Sequence, residues 1–509
     1  MLEVIKKRAG NICGYLLLFF GGAIAGSIFA PFEGMVAGYC SLALFFAYLF
    51  SFNKIDKRVF FRAYLFSFSF FMVSFSWIVN ALLVDGDSFI CFVPIVLLFM
   101  GAFFGLGIAI PSYWMKWGNN RYAKALILCT GIVFFEWVRS WIFTGFPWNL
   151  FGSALLFDTR FAMGGSFVGG YGLSFVLLIF IAGLGLIVEK LRFKKFDKKA
   201  LWFVGFSVVF LGGFSFSYQN FADGDIKVRL VQTDIEQTFK WNKELLYKNF
   251  RQYIDLSKSK PLDGVKLVVW GETATPYMLD RDEKHLNEIR EAIAKDGFLV
   301  TGLIRASFEN GEYVPYNSLF VIDDKGDIKD YYDKSHLVPF GEYLPFRKYL
   351  PDFMRPVANV VGNLGEGEKY KNIRVAGLPL MGGAICYESI FPKQVINSKE
   401  KPEILLVIAN DGWYGMSKGP YQHLAASQLR AIEEGITVVR SANTGISAVI
   451  KPNGDVVGKI GLGKAGISDV LLPETLEIKT VYGRLGNIIL LLIMLIVLLI
   501  IKKINYTKE

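Results

Sequence analysis

The chain has 509 residues, 53% of them hydrophobic, a mean hydropathy of +0.39 and a formal net charge of +10. That apolar content excludes an ordinary soluble enzyme, and the positive excess lies in short loops between apolar runs, where it calls for no nucleic acid. Four of the five cysteines (Cys13, Cys40, Cys91, Cys129) sit inside N-terminal apolar runs, so the remaining polar region, with Cys386 alone, cannot form an internal disulfide.

Crossing a bilayer takes about 20 predominantly apolar residues per helix. Seven spans are expected near 12–30, 35–52, 60–82, 89–115, 123–143, 166–189 and 200–218, and an eighth near 485–501. The first run is followed by further spans, so it is not read as a cleaved signal peptide. Lys and Arg crowd segments 1–11, 53–59, 116–124, 190–199 and 502–509, whereas loops 31–34, 83–88 and 144–165 carry only Arg160. That asymmetry predicts cytoplasmic termini and an extracytoplasmic region 219–484. The run "EKLRFKKFDKK" suits anionic lipid at the cytoplasmic face. The expected organisation is a seven-helix membrane domain (1–220), an exposed domain (221–480) and a last helix with a short tail (481–509). Within the fifth span, "FFEWVRSW" puts Glu136 and Arg139 three apart on one helix face. Intramembrane charges are functional candidates, and a local ion pair bracing the helices fits equally. The outside loop "GFPWNLFGSALLF" (145–157) is apolar and aromatic, suited either to lipid or to packing on neighbouring helices.

From about residue 225 the pattern changes to short β-rich runs alternating with polar helical stretches. "IKVRLVQ", "KLVVWGE", "FLVTGLIRA", "NSLFVID", "EILLVIAND" and "ITVVRSANTG" read as strands, several apolar throughout and so buried on both faces. "NKELLYKNFRQYIDLSKS" and "YQHLAASQLRAIEEG" have helical spacing, and "LFVIDDKGDIKDYYD" reads as a hairpin turning at Asp324–Gly326. The alternation predicts a layered α/β domain. "GLGKAG" (461–466) matches G-x-G-x-x-G, but a strand rather than a helix follows it, so a hairpin connection is expected there. One cysteine and three dispersed histidines (His285, His336, His423) argue against a metal site.

Three stretches carry chemistry. "LVVWGETATP" puts Glu272 just past a strand, "YYDKSHLVPFGEYLP" puts Lys334 at another strand end with Glu342 eight residues on, and "GGAICYES" puts Cys386 at a third. Functional side chains converge at strand ends in layered α/β domains. A thiol nucleophile needs a base, which a carboxylate provides, and its tetrahedral intermediate needs a cation or oriented N–H groups. Taken singly, each has a plainer explanation: a turn carboxylate, a surface ion pair with Asp333, a small buried hydrophobe. A Cys–His pair using His336 or His423 also fits the composition.

Together the three stretches resemble the nitrilase superfamily, whose members carry a Glu–Lys–Cys triad at strand ends of an αββα sandwich. The order Glu…Lys…Cys is that family's order, over about residues 225–475. With eight spans around it, and with "HLVPFGEYLPF", "ICYESIFP", "NDGWYG" and "RSANTG", the whole chain resembles the membrane-embedded branch, the bacterial apolipoprotein N-acyltransferases. Gly271 departs from the Pro common before the glutamate. The resemblance implies Glu272 as general base, Lys334 as oxyanion stabiliser and Cys386 as nucleophile. It further implies Glu342 as the carboxylate that orients Lys334, Tyr387 and Glu388 shaping the acyl site, and Trp241 contacting substrate. No cofactor or metal is implied. The expected reaction passes an acyl chain from a phospholipid, phosphatidylethanolamine above all, through a cysteine thioester to the α-amine of a diacylglyceryl-cysteine apolipoprotein at the cytoplasmic (inner) membrane. The apolar stretch "LPDFMRPVANVVGNLG" (350–365) suits either a mobile arm or lid or packing on neighbouring helices. Two rivals are a membrane-anchored nitrilase-type amidase using the same triad on water, and a lipid-binding protein with an inactive module. Fast alkylation of Cys386 near neutral pH is the expected mark of an activated thiolate.

Overall fold

The computed structural model describes residues 2–84, 86–191, 194–309, 312–345, 364–397 and 399–506. They form two compact units, one of Met1–Val79, Phe89–Tyr218 and Leu485–Glu509, the other of Asn80–Ser88 and Gln219–Arg484. Residues 350–363 of the candidate lid lie outside the described residues.

In the first unit each expected apolar stretch coincides with a helix: Leu2–Ala25, Met35–Phe50, Lys57–Ser74, Val93–Trp114, Arg121–Val138, Gly165–Leu191, Leu201–Ser215 and Ile488–Tyr506. Two of them start where a polar side chain satisfies otherwise orphaned N–H groups. Asp56 accepts from the main chain of Arg58 and Val59, and Asn120 from that of Tyr122 and Ala123. Among the described residues, three helical runs are long and apolar enough to cross a membrane alone: Phe89–Trp117, Gly165–Leu191 and Ile488–Tyr506. Lys57–Ser74 with Ser76–Leu83, bent by 52°, makes a fourth. Others, such as Met35–Phe50 and Leu201–Ser215, are apolar but shorter. Small residues let helices approach closely. A Cβ at Gly22 would stand 2.0 Å from the Phe66 carbonyl oxygen, so only glycine allows that helix contact.

The second unit holds two six-stranded sheets. The strands are β1 (Asp223–Gln232), β2 (Val265–Val269), β3 (Phe298–Glu309), β4 (Glu312–Asp323), β5 (Ile328–Asp333), β6 (Asn372–Ile373), β7 (Met381–Ile385), β8 (Ile404–Ala409), β9 (Thr437–Ala442), β10 (Ser447–Ile450), β11 (Val456–Ile460) and β12 (Gly466–Pro473). One sheet runs β12-β1-β2-β3-β4-β5 and the other β11-β10-β9-β8-β7-β6. Each has a parallel centre, β1–β2–β3 in the first and β7–β8–β9 in the second, flanked by antiparallel strands. β7 and β8 are apolar on both sides because both their faces are covered. Val228, Leu267, Val300 and Leu319 of the first sheet meet Ile385, Leu406, Val439 and Val449 of the second in one core. The outer face of the first sheet packs Phe250, Tyr253 and Ile254 of the helix Leu246–Ser257, and that of the second packs Leu424 and Ala431 of the helix Gly419–Glu434. The result is an α-β-β-α layering with the core between the sheets.

The β4–β5 hairpin turns where expected, with Gly326 at φ 88° and the Asp323 carboxylate accepting from the main chain of Lys325 and Asp327. The hairpin expected at "GLGKAG" does not form. The two strands it joins, β11 and β12, belong to different sheets, so this connection passes from one layer to the other. Local spacing cannot separate a hairpin from such a crossing, because both join two short strands by a glycine-rich loop.

Candidate active site

Glu272, Lys334 and Cys386 each follow the last residue or residues of a strand: β2, β5 and β7 respectively. They are 7%, 1% and 5% exposed, so water screens their charges little. Two main-chain links set the Glu272 turn, its own N–H donating to the Ala409 carbonyl (3.2 Å) and that of Gly302 to the Gly271 carbonyl (3.2 Å). Gly302 lies so close beneath this turn that a Cβ would stand 2.4 Å from the Thr273 nitrogen. Lys334 continues the β4–β5 pairing through a 2.8 Å bond from its N–H to the Asn317 carbonyl.

The polar side chains form a closed ring. Lys334 Nζ donates to Glu342 Oε1 at 2.9 Å and lies 3.6 Å from Glu272 Oε1. The Asn317 amide donates to both carboxylates, at 2.7 Å to Glu272 and 3.2 Å to Glu342. Glu342 Oε2 accepts from the Val338 N–H at 2.8 Å, which ties the loop after Lys334 back on itself. Burial works against the Lys334 ammonium, but Glu342, Glu272 and Cys386 outweigh it and hold its pKa above the ordinary lysine value. Lys334 is therefore a permanent cation at this site.

Cys386 occupies a tight elbow between β7 and a short 3₁₀ turn (Cys386–Ile390), with φ at 53°. A non-glycine residue there is strained and must be held by its surroundings. His423 and Ser389 hold it. His423 Nε2 lies 2.9 Å from the Cys386 carbonyl oxygen, and the Ser389 hydroxyl donates to the same oxygen at 3.0 Å. His423 Nδ1 is 2.7 Å from Asp411 Oδ1, and Arg440 Nη2 donates to Asp411 Oδ2 at 2.7 Å. Asp411, His423 and Arg440 are fully buried. Burial and the Arg440 charge lower the His423 pKa, while Arg440 and His423 overcome burial to hold the Asp411 carboxyl below its usual range. The ring nitrogens of His423 thus serve the Cys386 main chain and Asp411. Cys386, Asp411 and His423 also bring metal-ligand atoms within 4.8 Å of one another. The Arg440 guanidinium already neutralises that carboxylate, so the donor set does not suit a divalent cation.

Burial first, then the Glu272 charge, pushes the Cys386 thiol well above its ordinary pKa, against Lys334 and the Asn410 main-chain N–H, which lower it. Glu272 thereby opposes ionisation of the thiol, and Lys334 favours it.

The supporting residues divide. Trp241, Glu272, Asn317, Glu342, Asn410 and Trp413 line one cavity of about 60 Å³, which brings Trp241 to the carboxylates. Tyr387 packs edge-on against Phe391, with ring centroids 5.1 Å apart. Glu388 is a brace. One carboxylate oxygen accepts from Tyr332, from the Ser335 main chain and hydroxyl, and from the His336 N–H, and the other from the Ile385 N–H. It ties the segment after Lys334 to the strand before Cys386.

Sequence reading missed Lys240, Asn317, Asp411, His423 as a brace, and Arg440. Lys240 is 5% exposed and donates to the Glu272 carbonyl at 2.9 Å. Burial lowers its pKa to about 8, against Glu272 and Cys386, which raise it. Asp411 and Arg440 lie in "NDGWYG" and "RSANTG", two of the stretches that carry the family resemblance.

The chain matches the Carbon-nitrogen hydrolase family over residues 227–477, the two-sheet unit, and the Apolipoprotein N-acyltransferase N-terminal domain over 21–184. An apolipoprotein N-acyltransferase of Rickettsia typhi is 34% identical over 505 residues, covering 94% of this chain and 95% of that protein. One from Rhodopseudomonas palustris is 33% identical over 442 residues, covering 83% of this chain and 82% of the relative. A solved mutant of the Nesterenkonia AN1 amidase from the nitrilase superfamily, 18% identical, covers 50% of this chain and 92% of its own, with a TM-score of 0.36. The two-sheet unit is nitrilase-like, and several apolar helices accompany it. The chain belongs to the apolipoprotein N-acyltransferase family.

Proposed function

We propose that this protein transfers an acyl chain from a phospholipid, phosphatidylethanolamine above all, to the N-terminal α-amine of a diacylglyceryl-cysteine apolipoprotein. The observation that carries this reading is the buried ring of Glu272, Lys334, Glu342 and Asn317 beside a strained cysteine, in a chain of this family. In the first half-reaction Glu272 takes the Cys386 proton as sulfur bonds to the ester carbonyl carbon. Lys334 steadies the oxyanion, and the ester C–O bond breaks as Glu272 returns the proton to the leaving lysophospholipid oxygen. In the second, the amine nitrogen attacks the thioester, Glu272 accepts its proton, and the carbon–sulfur bond breaks as that proton passes to the leaving Cys386 sulfur. A thioester divides one difficult transfer into two easier ones, and proton transfer by a placed carboxylate is worth about 10²–10⁴-fold. Glu342 and Asn317 fix Lys334, Trp241 meets substrate, and Tyr387 and Glu388 frame the elbow. No cofactor enters.

The same reading places eight crossings in the cytoplasmic (inner) membrane, seven within 1–220 and one within 481–509. Both termini are then cytoplasmic and the catalytic domain, 221–480, periplasmic. The lysine and arginine asymmetry of the loops supports it.

The test is intact mass after incubation with phosphatidylethanolamine in detergent. A gain of one acyl chain is expected, labile to neutral hydroxylamine and absent in Cys386→Ala. A diacylglyceryl-cysteine peptide should discharge it. Discharge by water alone would make the protein a hydrolase, and no adduct with any lipid would remove Cys386 from the mechanism.

A second expectation concerns Lys240. With its pKa near 8, below the ordinary lysine value, the folded protein loses this charge beside Glu272 and Cys386 as pH rises through about 8. Thioester formation should fall over that range, and Lys240→Arg, which stays charged, should move the fall upward by about one pH unit or more. An unmoved alkaline limb in Lys240→Arg would assign it to another group.

A further inference from the structure

Glu136 lies in the last turn of the helix Arg121–Val138 and Arg139 caps it, and both are buried, at 4% and 8% exposed. Arg139 Nη2 lies 3.6 Å from Glu136 Oε1 and donates to the Asn149 carbonyl at 3.0 Å. Glu136 Oε1 also accepts from the Phe151 N–H at 2.7 Å. The other two nitrogens of this guanidinium, Nε and Nη1, are buried with no hydrogen-bond partner among the described residues. Leaving such a charged donor unmatched in a buried site costs more than leaving a neutral one. A bracing ion pair would not need that cost.

Both residues line a cavity of about 160 Å³ whose other walls include Phe71, Phe103, Phe104, Ile108, Ile132 and Phe135. A cavity of about 150 Å³ with Leu, Ile and Phe walls takes a benzene-sized group, about six carbons. Ile142 at its edge and Phe143 beside it are exposed apolar side chains, which suits an opening onto lipid. The adjacent Glu136 carboxylate offsets the Arg139 charge, so the donors call for a neutral acceptor rather than an anion.

We propose that this cavity binds the ester end of a lipid acyl chain, the carbonyl oxygen accepting from Arg139 and the first carbons lying among the phenylalanines. The site belongs to the helical unit and requires nothing of Cys386. Acyl esters occur both in phospholipids and in the diacylglyceryl group of a lipoprotein, and the experiment separates these sources.

The full-length protein in nanodiscs is photolabelled with a phosphatidylethanolamine carrying a diazirine near the carboxyl end of one acyl chain. Parallel arms use the diether analogue with the same diazirine, and a diacylglyceryl-cysteine peptide so labelled. Crosslinks are mapped by mass spectrometry. Labelling of 103–108 and 132–135 by one or both esters is expected, at least about tenfold above the ether, since a hydrogen bond from a charged donor is worth that much. Arg139→Met should bring the ester down to the ether. Should Arg139→Met fail to fold, Gly107→Leu fills the same space: a Cβ there meets Phe135 Cβ at 3.5 Å, an ordinary contact, and both charged residues stay. It should abolish the labelling. The relative strength of the two ester arms identifies the source. Equal labelling by ester and ether, or ester labelling unchanged in Gly107→Leu, overturns the proposal and leaves solvation of Arg139 by water. The same pattern should persist in Cys386→Ala, so failure of the acyl-transfer reading leaves this result standing.

Discussion

Lys334→Met is expected to slow thioester formation by about 10²–10³-fold and to destabilise the protein by roughly 3–5 kcal/mol. The first effect is the loss of the cation where oxyanion charge develops. The second arises because Lys334, 1% exposed, stands between two carboxylates. Methionine fills a similar volume but leaves Glu272 and Glu342 buried together with only the Asn317 amide between them. One of the two must then take a proton, and if that is Glu272 the general base is lost as well. The double variant Lys334→Met/Glu342→Gln separates the effects. It removes the surplus carboxylate and should regain much of the thermal stability in detergent, yet its acylation rate should stay low. Recovery of both together would mean that Lys334 acts only as a structural counter-ion.

The parts of this site that were legible in the sequence are those whose chemistry depends on one residue at one strand end. Glu272 and Cys386 stand out because the mostly apolar β2 and the apolar β7 end at or just before them, and Lys334 because it directly follows β5 with Glu342 eight residues on. Asn317 and Lys240 were not legible. Asn317 lies within β4, where period-2 patterning marks it only as one polar position, and its amide gains meaning from reaching two carboxylates 25 and 45 residues away. Lys240 precedes Trp241 in a short polar helix and looks solvated, although it is buried against the Glu272 main chain. The "GLGKAG" connection was misread for the same reason. Which sheet a strand joins is decided by long-range pairing, here of β12 with β1 some 240 residues earlier, and a local window cannot see it. Helix positions in the first unit followed from hydropathy alone, whereas the number of crossings depends on how short apolar helices such as Met35–Phe50 meet the bilayer.

Asp411→Asn should be nearly as damaging as the loss of Lys334, although Asp411 touches no reacting atom. Arg440 is fully buried, and Asp411 supplies the carboxylate that its Nη2 meets at 2.7 Å. Removing the charge while keeping the shape strands a buried guanidinium, at a cost of roughly 3–5 kcal/mol, or about 6–20 °C in Tm. His423 loses the carboxylate that orients its ring, and with it the alignment of Nε2 on the Cys386 carbonyl. The elbow at φ 53° then relaxes toward ordinary backbone, which moves the sulfur away from its working position. A misplacement of about 1 Å at a nucleophile costs on the order of 10²-fold. Arg440→Met added to Asp411→Asn tests the division, since it should restore stability by removing the stranded charge but leave His423 unaligned and acylation slow. If acylation recovers together with Tm, the Asp411–His423 relay serves folding only, and the Cys386 elbow must owe its strain to the β7 strand and Ser389 alone.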